Sequence, residues 1–400
     1  MSERRPLNPT VFRMASTHFV ADAYSNLYVP LLPALISRLG FSLAAAGTMV
    51  MLYQIATSVS QLGFGPLADR WRPRVLLVAG PLLSVSVLSL IGLAWSPGSL
   101  AACLVIGGLG GAAFHPTAAA VVNRLGGKRR GLAMAVHITG GSIGYSLGPM
   151  IFAPYVDRFG LGSTPWLAIP GLMLLGLVLA GLPPMKPFGG HGRSGFRQLR
   201  PFARPLFLLY SIVVLRTVTA MGFATFMPVM LTRRGWSVGM AGVAVSLYLF
   251  VGSVGGFLGG PLSDRYGAKR VIVASLVAAV PFLVLAPSLS GGWFIVMIAT
   301  GGFFLQSTLP VNVTFAHQLA PVSAATVSSL MMGVAWGTGG LAVPVVGALA
   351  DRFGIEPTLT WLALVPLAGA VCAWPLPRSA SDEDSDEDSD QGEASGIVGI

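Results

Sequence analysis

An acid and an imidazole lie four residues apart in an apolar stretch near the start of the chain. In STHFVADAYSN, residues 16–26, the residues His18, Asp22 and Asn26 recur at intervals of four, which places them on one face of a helix. A charged group at the centre of a bilayer costs about 2.5–3.5 kcal/mol on insertion scales, so it normally faces a partner or a water-filled cavity. An imidazole changes charge near neutral pH. We therefore predict that Asp22, tuned by His18, exchanges a proton in such a cavity.

Further polar side chains lie within apolar segments later in the chain. An arginine keeps its charge in proteins, so Arg216, in the stretch VVLRTVTAMGF, would attract an anionic group. The predicted ligand-binding residues are Arg216, His115, Asn26, Asn312 and Gln306.

Two of these residues have a structural alternative that the sequence leaves open. Asp22 could pair with Arg216 only to hold the fold together. His115 could be a packing residue, because the adjacent Pro116 frees a backbone carbonyl nearby. We interpret His137, His317 and Trp336 as structural.

The elements that position these residues must cross a membrane. The chain of 400 residues is 54% hydrophobic and 10% charged, with a mean hydropathy of +0.73, whereas a soluble protein is about 25% charged. A spanning helix needs about 20 apolar residues. Twelve segments qualify: 14–39, 45–68, 75–95, 99–123, 131–156, 165–185, 205–231, 238–262, 271–287, 293–318, 326–350 and 359–376.

The connections between these segments are too short for a soluble catalytic domain. No phosphate loop or nucleophile–base pair is visible, and the two cysteines, Cys103 and Cys372, lie within predicted spans without metal-ligand spacing. We expect neither enzyme activity nor a cofactor or a bound metal.

Basic residues are concentrated on one predicted side of the membrane. Nineteen Lys and Arg residues fall in the termini and in alternate loops, five fall in the other loops, and Arg216 lies within a span. This asymmetry, rather than nucleic-acid binding, accounts for the net charge of +10. The positive-inside rule predicts that both termini are cytoplasmic.

The chain contains an internal repeat. GPLADR at 65–70 recurs as GPLSDR at 260–265, an offset of 195 residues, and YVDRFG at 155–160 recurs as LADRFG at 349–354, an offset of 194. A nearly constant offset indicates two duplicated bundles. The predicted organisation is an N-terminal segment 1–13, a six-helix bundle 14–185, a basic cytoplasmic linker 186–204, a second six-helix bundle 205–376, and an acidic tail 377–400 that is expected to be disordered.

Two sequence patterns suggest how the helices close and pack. A carboxylate can accept hydrogen bonds from the free N–H groups at the start of a neighbouring helix, so the repeated D-R pairs are predicted to gate the cytoplasmic side. The gating residues are Gly65, Asp69, Arg70, Gly260, Asp264 and Arg265. Glycines spaced by four predict close helix contacts: the two series are Gly140, Gly144 and Gly148, and Gly252, Gly256 and Gly260.

These motifs resemble those of the major facilitator superfamily. The loop pattern G-x-L-x-D-R is typical of that superfamily, and the stretches 110–149, THFVADAYSNLYVPLLPAL and WGTGGLAVPVVGALADRFG resemble its fosmidomycin-resistance branch. The resemblance implies an all-α membrane protein of twelve transmembrane helices in two pseudo-symmetric bundles, with spans one, four, seven and ten lining a central cavity. One departure is in span ten, where His317 and Gln318 stand at a place where an acid is expected.

The resulting hypothesis is a proton-coupled exporter in the bacterial inner membrane. Its partners would be protons, the lipid bilayer and a small anionic or amphiphilic drug or metabolite, and we expect a monomer. Two alternatives stay open: a proton-linked importer of an organic anion, and a membrane sensor or interaction protein built on a transporter scaffold.

Overall fold

The computed structural model describes residues 7–61, 63–64, 67, 73–183, 185, 196–321 and 324–377. Within these ranges the chain is helical and contains no β-strand. Three predicted gating residues, Gly65, Asp69 and Arg70, lie outside the described residues, as do most of the basic linker and the acidic tail from residue 378 onward.

Seven α-helices with defined bounds lie within the described residues of the first part of the chain. They are α1 Pro9–Ser25, α2 Tyr28–Leu39, α3 Leu43–Gln54, α4 Pro73–Leu88, α5 Pro97–Gly126, α6 Arg130–Phe159 and α7 Ala168–Ala180. A π-helical turn, Ile55–Val59, continues α3, and a 3₁₀ segment, Leu161–Leu167, leads into α7.

Nine more lie within the described residues of the second part. They are α8 Ala203–Arg233, α9 Val238–Tyr266, α10 Ala268–Leu285, α11 Gly291–Leu319, α12 Ala324–Ser328, α13 Ala335–Leu341, α14 Val343–Phe353, α15 Ile355–Leu362 and α16 Val365–Ala373. A π-helical segment, Ser329–Val334, joins α12 to α13.

Ten helical segments of the described chain are long and apolar enough to cross a membrane. The other two predicted spans coincide with a shorter apolar helix, Leu43–Val59, and with the 30-residue helix α6. The described helices are therefore consistent with twelve spans.

The first predicted span is broken rather than continuous. α1 ends at Ser25, Asn26 caps its C-terminus, and α2 begins at Tyr28. Pro30 explains the break: it has no N–H to donate and its ring clashes with the carbonyl four residues earlier, which belongs to Asn26.

The described residues pack as two compact units. The first contains residues 1–192, 224–250 and 343–352, and the second contains residues 193–223, 251–342 and 353–400. The boundaries between the units therefore fall within α8, within α9 and before the last residue of α14. The predicted boundaries at 14–185 and 205–376 describe the sequence repeat and stay a prediction.

Glycines let α6 lie directly against α1. A Cβ atom on Gly140, Gly144 or Gly148 would fall within 2.5 Å of the carbonyl oxygen of Ala15, Phe19 or Ala23, respectively. Only glycine allows such a close backbone approach. This contact confirms the first predicted glycine series as a packing surface.

In α9, the glycines that pack most closely are not those of the second predicted series. α9 approaches α11 most closely at Gly255 and Gly259, where an added Cβ would overlap the carbonyl oxygens of Phe303 and Ser307. A Cβ on Gly260 would meet open space, so the prediction that Gly260 belongs to this contact is wrong. Several small residues adjoin each other in α9, and the rotation of the helix decides which of them face α11.

Candidate functional site

One carboxylate and two imidazoles form a cluster within the first unit. His18 Nε2 lies 3.2 Å from Asp22 Oδ2, and His115 Nε2 lies 3.5 Å from Asp22 Oδ1. The side chains are 13%, 17% and 23% exposed for His18, Asp22 and His115. The cluster is therefore largely enclosed by protein, and each side chain keeps a small exposed fraction.

Helix packing brings the three side chains together. His18 and Asp22 are one helical turn apart on α1, whereas His115 comes from α5. Gly141 of α6 makes room for the imidazole, because a Cβ there would lie 2.5 Å from His18 Nε2. The prediction that His18 and Asp22 share a helix face holds, and the structure adds His115 as a second neighbour of the carboxylate.

The backbone of α6 fixes the orientation of the His18 ring. His18 Nδ1 lies 2.9 Å from the carbonyl oxygen of His137, and the two imidazole rings stack with centroids 4.3 Å apart. A carbonyl oxygen only accepts hydrogen bonds, so His18 Nδ1 must be the donor. His137, interpreted from sequence as structural, is thus a supporting residue of the cluster; nothing in the local sequence indicates this, because the contact depends on how α6 packs against α1.

This orientation leaves one proton between His18 and Asp22. With Nδ1 protonated, a neutral His18 would present a lone pair at Nε2 to a carboxylate oxygen 3.2 Å away. Two acceptors repel at that distance, whereas a proton on either atom makes a hydrogen bond. The geometry therefore requires either an imidazolium beside a carboxylate or a neutral imidazole beside a carboxylic acid.

The same three residues have the spacing of a possible cation site. One ligand atom from each of His18, Asp22 and His115 lies within 4.8 Å of the others. His18 and Asp22 are already at hydrogen-bond distance, so a shared proton accounts for their contact without a metal.

Asn26 lies at the break between α1 and α2. Its side chain is 1% exposed, and its Nδ2 donates a hydrogen bond of 2.9 Å to the carbonyl oxygen of Tyr145. The residue also caps the C-terminus of α1. Asn26 therefore ties the helix break to α6, and its predicted role in substrate binding stays a prediction.

The second unit contains Arg216, the arginine that the sequence places within an apolar span. Arg216 of α8 is 1% exposed; its Nη1 donates a hydrogen bond to Gln306 Oε1, and its Nη2 lies 3.0 Å from Thr217 Oγ1. Its guanidinium carbon lies 5.6 Å from the centroid of the Trp336 ring, within the range of a cation–π interaction. The structure therefore brings together the predicted residues Arg216 and Gln306.

Arg216 and Asn312, another predicted ligand-binding residue, line the same small cavity. It has a volume of about 10 Å³, near the minimum for one water molecule, and Arg216, Asn312, Met331 and Trp336 are among its lining residues. Asn312 is 0% exposed, and neither its Nδ2 nor its Oδ1 has a hydrogen-bond partner. A buried amide without partners is costly, so this group is available to a polar ligand. Trp336, interpreted as structural, forms part of the same cavity wall.

The described gating residues lie at the end of α9. Asp264 and Arg265 are exposed, and the Arg265 guanidinium lies 5.1 Å from the centroid of the Tyr266 ring. Their predicted role in closing the cytoplasmic side stays a prediction.

Comparison with known proteins identifies the family. The model of the Major Facilitator Superfamily matches residues 14–321 and 209–396. The chain belongs to the major facilitator superfamily. It is therefore an all-α membrane transporter of that fold.

Individual relatives cover almost the whole chain. The fosmidomycin resistance protein of Escherichia coli (strain K12) is 28% identical over 362 residues, which are 88% of this chain and 89% of the relative. An uncharacterized MFS-type transporter of Bacillus subtilis (strain 168), YfnC, is 28% identical over 386 residues, 92% of this chain and 93% of the relative.

A solved structure shares the fold. A bacterial homologue of the human lysosomal transporter Spinster, in an inward-facing and occupied conformation, superimposes with a TM-score of 0.78 at 16% identity, covering 91% of this chain and 95% of the homologue. At this identity the likeness concerns the fold alone.

Proposed function

We propose that this transporter is a proton-coupled exporter of small anionic or amphiphilic molecules across the bacterial inner membrane, with both termini cytoplasmic. The observation that carries the proposal is the contact of His18 with Asp22. Because His18 Nδ1 donates to a carbonyl oxygen, a proton must lie between Nε2 and the carboxylate. A partly exposed pair that holds one proton can take it up on one side of the membrane and release it on the other.

His115 gives this pair a second neighbour. It lies 3.5 Å from the other carboxylate oxygen, so proton loss from His18 or Asp22 changes the charge that His115 faces. We expect the three groups to titrate together rather than independently. The packing alternative for His115 predicts instead that its removal changes stability and leaves the pH dependence of transport unchanged.

Arg216 is the proposed site for the anionic group of the substrate. Its guanidinium is buried, and the partnerless amide of Asn312 lines the same cavity. An anion can take bidentate hydrogen bonds from arginine, while the amide offers one donor and one acceptor. The Escherichia coli relative is named for resistance to fosmidomycin, so fosmidomycin is the first substrate to test.

Reconstitution into liposomes tests the proposal and the direction of coupling together. Purified protein is placed in vesicles loaded with a pH-sensitive dye, and fosmidomycin or another member of a panel of organic anions is added outside. In an antiporter, entry of substrate drives protons out and the interior becomes alkaline. In a proton-linked importer the interior becomes acidic. The sign of the signal does not depend on the orientation of the protein in the vesicle.

Two variants separate coupling from general damage. Asp22→Asn removes the proton-carrying carboxylate, whereas Glu356→Gln removes a carboxylate from α15, in the second unit. We expect proton movement to disappear in Asp22→Asn and to persist in Glu356→Gln. Loss in both variants, or in neither, would contradict the assignment of the proton to Asp22.

The remaining alternatives have their own tests. If Asp22 and Arg216 form only a structural ion pair, Asp22→Asn with Arg216→Gln should restore both folding and transport. If the protein is a sensor that acts through its acidic tail, deletion of residues 381–400 should abolish its effect in cells. For an exporter we expect the deletion to leave transport nearly unchanged.

A further inference from the structure

The two imidazoles and the carboxylate of the first unit have the composition of an open zinc site. Such a site holds the cation with three protein ligands, for example two histidines and one acid, and leaves a fourth position to water. His18, Asp22 and His115 supply this set, with one ligand atom of each within 4.8 Å of the others. Imidazole nitrogen favours Zn²⁺ and similar transition cations, whereas Mg²⁺ and Ca²⁺ prefer oxygen ligands. The donor set therefore selects a transition cation.

The separations of the ligand atoms are close to those of a tetrahedron around zinc. With bonds of about 2.0–2.1 Å, neighbouring ligand atoms of a tetrahedral site lie about 3.3 Å apart. His18 Nε2 lies 3.2 Å from Asp22 Oδ2, and His115 Nε2 lies 3.5 Å from Asp22 Oδ1. Two of the three separations therefore have nearly the required length. The ligand nitrogens of the two imidazoles are no more than 4.8 Å apart, so the rings must approach each other slightly as the cation binds.

The backbone of α6 already holds His18 in the tautomer that a metal requires. A metal-bound histidine normally donates its other ring N–H to a carbonyl or carboxylate oxygen, which fixes the ring and leaves the second nitrogen for the cation. His18 Nδ1 donates such a hydrogen bond, of 2.9 Å, to the carbonyl oxygen of His137. This contact is independent of the distances within the cluster, and it also assigns Nε2 of His18 to a ligand.

A proton and a transition cation meet the same need in this cluster. The shared proton links His18 Nε2 to Asp22, which would otherwise be two acceptors at 3.2 Å. A cation bonded to both atoms relieves the same repulsion, and metal ligands must give up their protons. Binding of the cation therefore releases the shared proton.

The surrounding titratable groups leave this exchange to the three ligands. Besides His18 and His115, the described side chains that interact electrostatically with Asp22 are the imidazole of His137 and the phenols of Tyr53 and Tyr145. A phenol keeps its proton at neutral pH. The ring of His137 stacks on that of His18, with centroids 4.3 Å apart, and is not one of the three ligands.

We propose that His18, Asp22 and His115 bind Zn²⁺ or a similar transition cation in place of their shared proton, and that the bound cation inhibits transport. The inhibition rests on the proton-coupled function proposed above, whereas the binding does not. From the sequence alone we expect no bound metal. His115 lies 93 residues after Asp22 in the chain, and only helix packing brings the three ligands together.

A zinc titration tests the site in the full-length protein, purified without a histidine tag and placed in lipid nanodiscs. Calorimetry with zinc chloride is performed in excess Mg²⁺, which occupies oxygen-only sites such as those of the acidic tail. Asp22→Asn and His115→Gln each remove one ligand. His317→Gln is the matched control, because His317 lies in the second unit with its Nε2 2.9 Å from Ser328 Oγ.

We expect a single Zn²⁺ per chain in the wild type and in His317→Gln. The affinity should fall by about tenfold or more in Asp22→Asn and in His115→Gln, since each loses a ligand. Equal affinity in all four proteins, or no binding to the wild type, would overturn the proposal.

X-ray absorption of the zinc-loaded wild type tests the ligands without any variant, so the proposal stays testable if a variant does not fold. We expect nitrogen and oxygen ligands at about 2.0–2.1 Å and the scattering pattern of two imidazoles. A spectrum without imidazole would equally overturn the site.

Transport in liposomes tests the inhibition. With Zn²⁺ on both sides of the membrane, we expect most of the substrate-driven proton movement to be lost in the wild type and in His317→Gln, and to return when a chelator is added. Zinc that binds the cluster without slowing transport would contradict the inhibition. If no substrate drives proton movement even without zinc, the exporter proposal fails, whereas calorimetry and X-ray absorption still decide the zinc site.

Discussion

Replacement of Asp22 by asparagine isolates the proton-carrying step from the fold. The amide has the shape of the carboxyl group, and its N–H can donate a hydrogen bond to the lone pair of His18 Nε2, which lies 3.2 Å from a carboxylate oxygen in the structure. The amide cannot bind or release a proton at accessible pH. We therefore expect normal expression and folding of Asp22→Asn but loss of coupling to the proton gradient.

The size of the effect follows from the number of carboxylates in the transport path. Asp22 is the one acid within the predicted spans, so the proposed cycle moves one proton per substrate. A gradient of one pH unit supplies about 1.4 kcal/mol per proton, which supports about a tenfold concentration ratio of substrate. The wild-type protein should reach that ratio, and Asp22→Asn should stay near onefold.

The assay measures substrate accumulation in liposomes with the membrane potential held at zero. Exchange of labelled for unlabelled substrate, which needs no net proton movement, is measured in the same vesicles and should persist in the variant. A tenfold accumulation by Asp22→Asn would contradict the assignment of the carried proton to Asp22 and would assign it to His18 or His115 instead. Loss of both accumulation and exchange would indicate a structural role.

Three further predictions concern packing, gating and topology. Gly144→Ala should destabilise the protein by about 1–3 kcal/mol, because the new Cβ would overlap the Phe19 carbonyl; thermal unfolding in detergent measures this. Asp69→Asn should slow transport with near-normal expression, since a neutral amide binds an arginine and a helix start less strongly; transport rates and crosslinking across the cytoplasmic ends measure this. A cysteine introduced at Glu3 should react with an impermeant thiol reagent only in permeabilised cells, as the basic-residue asymmetry predicts.

Each of these predictions has a clear contrary outcome. Gly176→Ala is the matched control for packing, because nothing lies within 4 Å of a Cβ at that helical position; equal stability of the two glycine variants would contradict the close contact of α1 and α6. Wild-type transport and crosslinking in Asp69→Asn would remove the role of the D-R motif. Labelling of position 3 in intact cells would invert the topology.

The class of the protein and its internal repeat could be predicted from composition and motif spacing. Hydrophobic length is a local property, so the spans could be located from composition, and the offset of about 195 residues indicated two copies of one bundle. The spacing of His18 and Asp22 follows from helical geometry alone. The glycine series of α6 could also be predicted from helical geometry, because an uninterrupted helix keeps residues four apart on one side.

Which helices these surfaces meet depends on tertiary packing. His115 is 93 residues from Asp22 in sequence, and no local pattern encodes such a contact. Packing against neighbouring helices sets the rotation of α9, and this rotation places Gly255 and Gly259, rather than Gly256 and Gly260, closest to α11. The helix break before Pro30 places Asn26 at the C-terminal cap of α1. The carbonyl of His137, which orients His18 and so requires a proton beside Asp22, is placed by the contact of α6 with α1. A backbone oxygen has no sequence signature, so this part of the site could be found only from the packed helices.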